Sequence, residues 1–166
     1  RTGAQLFNVI LFELIAWILY FLVGRVRTAL RIELVIAMVF GLSNAYVVRF
    51  RTNPIVPWDL FSWKTAASVA SNYDFKPDTH MVVVTILFLA GIALLQFVKK
   101  ESGTIKIWKR LILAAAFCVV LTGFVGKLQD ESFQTSHRLY PFLFTPAYMT
   151  TVNGIAVTFA MDLAYV

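Results

Sequence analysis

The chain has 166 residues, 59% of them hydrophobic and only 14% charged, with a formal net charge of +6. Average soluble domains carry about 25% charged residues, so this composition, with a mean hydropathy of +0.74, excludes an ordinary soluble domain. The positive charge is assigned to topology and anionic lipid, not to nucleic acid, because no basic cluster interleaved with aromatics lies in a soluble-looking segment.

The opening Arg-Thr-Gly lacks both a methionine and a signal pattern, which suggests a piece trimmed from something longer. The first expected span covers residues 6–23, long enough for ~27 Å of helix at 1.5 Å per residue. Glu13 falls near its middle. An ionisable group at that depth costs about 2.5–3.5 kcal/mol unless it finds a partner. It therefore reads either as a proton or substrate site or as a neutral acid hydrogen-bonded to a neighbouring helix. The second span covers residues 32–48, and the short join predicts a hairpin. Its far end carries Gly41, Ser43, Asn44 and Ala45, small enough for close helix approach. Glu13 and Asn44 are expected to face each other at similar depth.

Residues 49–73 mix features that bulk membrane sequence rarely combines. Arg49 and Arg51 alternate with Phe50, so an extended chain would point both cations one way. Pro54 and Pro57 fix φ and predict an extended arm, and Asp59 reads as the N-cap of a helix starting at Leu60. From there Leu60, Trp63, Ala66, Ala67, Val69, Ala70 and Tyr73 share one arc. Lys64, Thr65, Ser68, Ser71 and Asn72 share the other. This predicts an interfacial segment over 57–73, its amphipathic helix starting at Leu60 and lying on the membrane interface, with a solvated connecting loop as the plainer reading.

The third span is expected at 81–98 and the fourth at 107–125, joined by a short basic loop. The lone cysteine, Cys118, lies inside the fourth and reads as a small packing residue. Beyond Lys127 the chain turns polar, then aromatic. Its last segment, 152–166, is interrupted by Asn153, Gly154 and Asp162 and at about 15 residues is short for a span, so it is expected to dock at the interface. The short loops carry Arg25, Arg27, Arg31, Lys99, Lys100, Lys106, Lys109 and Arg110 against Glu33 and Glu101. The positive-inside rule places those loops in the cytoplasm and both chain ends outside. The expected fold class is all-α: a polytopic membrane bundle of four spans, one domain over 1–166, with an outer amphipathic helix and a C-terminal interfacial helix.

Chemistry-bearing motifs are sparse. His80 and His137 stand apart from ligand-spaced partners, Asp130-Glu131 reads as a solvated loop, and no nucleophile motif or phosphate-binding glycine loop occurs. The run Arg51-Thr52-Asn53-Pro54-Ile55-Val56-Pro57-Trp58-Asp59-Leu60-Phe61-Ser62, continued by Ala70-Ser71-Asn72-Tyr73, resembles the membrane region of bacterial lipoteichoic acid synthase-like proteins. So does Asn153-Gly154 through Phe159. These are phosphoglycerol transferases of the alkaline phosphatase and sulfatase superfamily. The chain has Thr-Asn-Pro where that family has Gly-Thr-Pro, so the turn after Arg51 is expected to differ. The resemblance implies a bacterial plasma-membrane, cell-wall enzyme with a further N-terminal span and an extracellular catalytic domain. That domain would use a threonine nucleophile and a divalent metal such as manganese, and neither it nor the extra span lies in these 166 residues. This segment would then be non-catalytic and cofactor-free.

The resulting expectation is a membrane domain that anchors the transferase and positions a phosphatidylglycerol-like donor. Arg49 and Arg51 would hold the lipid phosphate, Trp58 and Trp63 would seat the helix at headgroup level, and Asp59 and Asn72 would fix its ends, with Lys64 and Tyr73 as further interface candidates. Alternatively these residues only pack beneath the outer domain. A different class is a stand-alone scaffold or lipid-binding subunit, and a third is a small transporter using Glu13. Self-association is left open.

Overall fold

The computed structural model describes residues 2–62, 64, 68, 75–99, 105–140 and 146–165. Helix α1 runs Thr2–Val23 and α2 runs Val26–Arg51. Helices α3, Thr79–Leu94, and α4, Ile107–Leu128, follow, and the described residues contain no strand. Each of these four, α3 with the 3₁₀ turn that carries it on to Phe97, is long and apolar enough to cross a membrane, as a multi-pass membrane protein requires. Among the described residues three short α-helices follow α4: α5 (Glu131–Ser136), α6 (Pro146–Asn153) and α7 (Ile155–Asp162).

The main packing runs α3 against α2, α2 against α1, and α1 against α4, giving a row in the order α3–α2–α1–α4. Leu87, Ile86, Val119 and Ile107 turn outward and stay exposed. Apolar area on this scale is untenable in water but is the natural boundary with lipid tails. The buried cluster instead sits at one end of the row. There Ala4 and Leu11 of α1 and Leu128 of α4 meet Met149, Val157 and Met161 of the C-terminal helices. Phe7 fills the gap, its ring in contact with Phe124, Phe133 and His137.

The opposite end is fastened by arginines. α1 stops because Gly24 takes φ +76° and donates its N–H to Tyr20 O, a left-handed cap. The Arg110 guanidinium lies where a Gly24 side chain would be, donating to Phe21 O at 3.0 Å and Leu22 O at 2.8 Å. Arg27 similarly donates to Val98 O. Cations thus satisfy the last carbonyls of helices, where the macrodipole favours positive charge.

Several boundaries differ from the sequence reading. α2 begins at Val26, six residues earlier than expected, and runs on through Arg51. Its charged first turns are compatible with helix because long basic side chains keep their heads near the membrane surface. Arg49 and Arg51 are therefore helical, about 200° apart around the axis at ~100° per residue, and do not point one way. Asp59 is not an N-cap: it lies inside a 3₁₀ turn, Pro57–Leu60. Of the predicted interfacial helix, Lys64 and Ser68 are helical and exposed. Trp63, Asn72 and Tyr73 lie outside the described residues. The C-terminal segment is two helices, broken at Gly154, where φ is +84°.

Candidate functional site

The polar side chains of greatest interest gather around the end of α2. Thr52, in the left-handed region at φ 63°, ends the helix by donating its N–H to Val48 O. The chain then runs through buried Pro54 and extended Val56 into the 3₁₀ turn. Asn44, one face back along α2, accepts the Ile55 N–H at 2.8 Å. Asp59 accepts the Val56 N–H at 2.8 Å and holds Arg51 in a two-pronged pair, at 2.7 Å to Oδ1 and 2.5 Å to Oδ2. Arg51 also donates to Pro54 O at 2.8 Å. Partial burial tends to raise the Asp59 carboxyl, but the Arg51 hydrogen bond, the Val56 N–H and the Arg51 charge outweigh it and hold the group below the usual carboxylate range. The Arg51 guanidinium is thus engaged within the protein.

The Arg49 guanidinium reaches the other way, donating to Lys76 O at 2.7 Å. Tyr46 donates its hydroxyl to Phe75 O at 3.0 Å, and Phe75 packs edge-on against Tyr46 and Phe50. These contacts bring the segment entering α3 back against α2. α3 then starts on Asp78, whose carboxylate accepts the Met81 N–H at 2.8 Å. Between the two helices lies a cleft of about 600 Å³. Asn44, Arg49, Asp78 and His80 supply its polar lining, and Leu42, Ala45, Val48, Met81 and Val84 its apolar lining. Trp58 stands exposed beside Phe61 on the 3₁₀ turn.

Glu13 and Asn44 are not brought together. Glu13 lies 11 residues before the Gly24 turn and Asn44 lies 20 after it. The offset of nine residues is ~14 Å along the axes. Glu13 instead stands near the level of Glu33, nine residues after the turn, an offset of two residues or ~3 Å along the axes.

Sequence reasoning missed a second constellation at the same end of the row. Asn8 donates Nδ2 to Ala4 O at 2.8 Å and Asn153 O at 2.6 Å, and its Oδ1 accepts the Val157 N–H at 3.2 Å. Asn153, 1% exposed, accepts the Tyr140 N–H and donates to Tyr140 O, both at 2.8 Å. Gly154 must be glycine, because a Cβ there would both strain the backbone and collide with the Asn8 carboxamide. Asn8 was legible as an amide inside an apolar run, but nothing local identified partners 145 residues away. One turn from the chain end, Asp162 is 4% exposed and neither carboxylate oxygen has a hydrogen-bond partner among the described residues. Burial pushes its carboxyl up to about 6.

Searches of family models, of curated proteins and of solved structures found no match to this chain. His137 is committed to packing, stacked on Phe133 at 4.0 Å. Among the described residues no group of three His, Cys, Asp or Glu side chains converges as a metal site would. What the arrangement can do chemically is hold an anion beside an apolar groove: Arg49 and His80 supply donors, with hydrocarbon-lined space directly beneath.

Proposed function

We propose that this chain is the membrane-embedded anchoring and lipid-positioning domain of a lipoteichoic acid synthase-like phosphoglycerol transferase, taking a phosphatidylglycerol-like donor. The observation that carries the reading is the cleft between α2 and α3, whose polar rim and apolar floor match a phospholipid's phosphate and acyl chain. Arg49 is the phosphate ligand, by a charge-assisted hydrogen bond, with His80 beside it. Arg51 positions the platform through Asp59 and leaves the lipid to Arg49. In this reading the protein sits in a bacterial plasma membrane with its arginine-fastened end in the cytoplasm. The 3₁₀ turn Pro57–Leu60 and the helices α6–α7 lie on the outer interface, beneath the catalytic domain.

The test measures lipid retention by native mass spectrometry after reconstitution in mixed phosphatidylglycerol and phosphatidylcholine nanodiscs. Arg49→Ala and His80→Ala are expected to lose phosphatidylglycerol selectively, while thermal stability stays near that of the parent. Equal retention in both variants would overturn the assignment. Sidedness is read separately by thiol labelling of a Cys118→Ser background, in which a cysteine at Thr52 should react from outside and one at Lys106 only from inside.

A further inference from the structure

A second cleft opens on the α1–α2 hairpin, far along α2 from the first. It has a volume of about 280 Å³ and is lined by Glu13, Trp17 and Tyr20 of α1 and by Val26, Ala29 and Leu30 of α2. All but the carboxylate and the tyrosine hydroxyl is hydrocarbon or aromatic ring. Trp17 and Tyr20 are held at 80° to one another with centroids 5.9 Å apart, and Trp17 also stacks on Phe21 and Phe117. The ring walls are therefore fixed by packing.

The charge in this cleft is unbalanced. Glu13 is the one charged residue in its lining, and among the described residues it makes no ion pair. The arginines closing this end, Arg27 and Arg110, donate instead to backbone carbonyls of Val98, Phe21 and Leu22. A negative group in apolar surroundings selects a positive partner, and aromatic faces attract cations whose charge is weakly hydrated. A small metal ion would find too few oxygen ligands here, since the remaining wall is apolar.

We propose that this cleft binds a small organic cation with an apolar body, its ammonium group against Glu13 and its body against the wall that Trp17 and Tyr20 form together. The site is independent of the lipid cleft and of the transferase reading.

The probe is benzyltrimethylammonium, compared with neopentylbenzene, its neutral carbon isostere, by saturation-transfer NMR and equilibrium dialysis in zwitterionic nanodiscs. The cation should bind the parent chain saturably, at least about tenfold more tightly than the isostere, as expected for a desolvated cation–π and carboxylate site. Glu13→Gln should remove that preference, and Trp17→Ala should weaken the cation about threefold or more. Equal binding of the two probes to the parent chain would overturn the proposal, whatever the folding of any variant. So would an unchanged affinity in Glu13→Gln.

Discussion

Asp162→Asn should make this protein more stable at neutral pH. The Asp162 carboxyl is buried without a hydrogen-bond partner among the described residues, and its pKa is raised from the usual 3.8 to about 6. At ~1.36 kcal/mol per pH unit, that corresponds to about 3 kcal/mol, trimmed to roughly 2 kcal/mol by residual hydration. The direction follows from where each state ionises. Below 3.8 both the folded and unfolded carboxyls hold their proton, and the group leaves stability unchanged. Between 3.8 and about 6 the unfolded chain gives up its proton first, so native stability falls as pH rises and levels off above about 6. Asparagine stays neutral throughout. In detergent micelles, unfolding followed from pH 3.5 to 8 should show the two proteins nearly equal at the acid end, with the variant ahead by roughly 2 kcal/mol at pH 7.5. A gap that does not narrow with acid, or a variant weaker at every pH, would mean the carboxylate is charged and paired in the native state.

Asn153→Ala strands both backbone groups of Tyr140 and should cost about 2–4 kcal/mol, seen as early proteolysis around residue 140. Gly154→Ala should destabilise by about 1–3 kcal/mol from the positive φ alone, and replacing Asn8 with Ala in the same background should relieve part of the loss. A double-mutant cycle on Arg51→Ala and Asp59→Ala should return a coupling of about 0.5–1 kcal/mol, because the pair is partly exposed and salt screens it. The coupling should shrink in 1 M salt, and additive effects would show that the pair holds nothing in place. Arg110→Ala uncovers the final carbonyls of α1 and should lower stability by about 1–2 kcal/mol, whereas Lys109→Ala, an exposed side chain over the exposed Trp108 ring, should change it little.

The four long helices were legible because each is a block of hydrocarbon bounded by charge, and a bilayer leaves the backbone no other way to satisfy itself. Their ends were not. Val47-Val48-Arg49-Phe50-Arg51 fits a strand's alternation as well as a helix's last turn, and the helix prevailed because Thr52 supplies a left-handed stop. Asp59 was recognised as a helix-start acid, but its partner Arg51 could not be, since the two meet only after the proline arm folds back. Glu33, one residue inside the expected second span, reads with the loop charges because it follows Arg25, Arg27 and Arg31 so closely. Counting from Gly24 would have set it near the level of Glu13. Asn153 and Gly154 drew notice as a motif. Their use, gripping Tyr140 and clearing space for Asn8, depends on tertiary docking that no window of sequence contains.

Asn8 ties the beginning of α1 to residues near the end of the chain, and this bears on how the molecule is made. A ribosome delivers Asn8 long before Asn153 and Val157, so its side-chain amide enters the bilayer with most of its eventual companions still unsynthesised. This end of the row can close only once α6 and α7 are made, and a chain stalled at the fourth span would carry an open seam at its first.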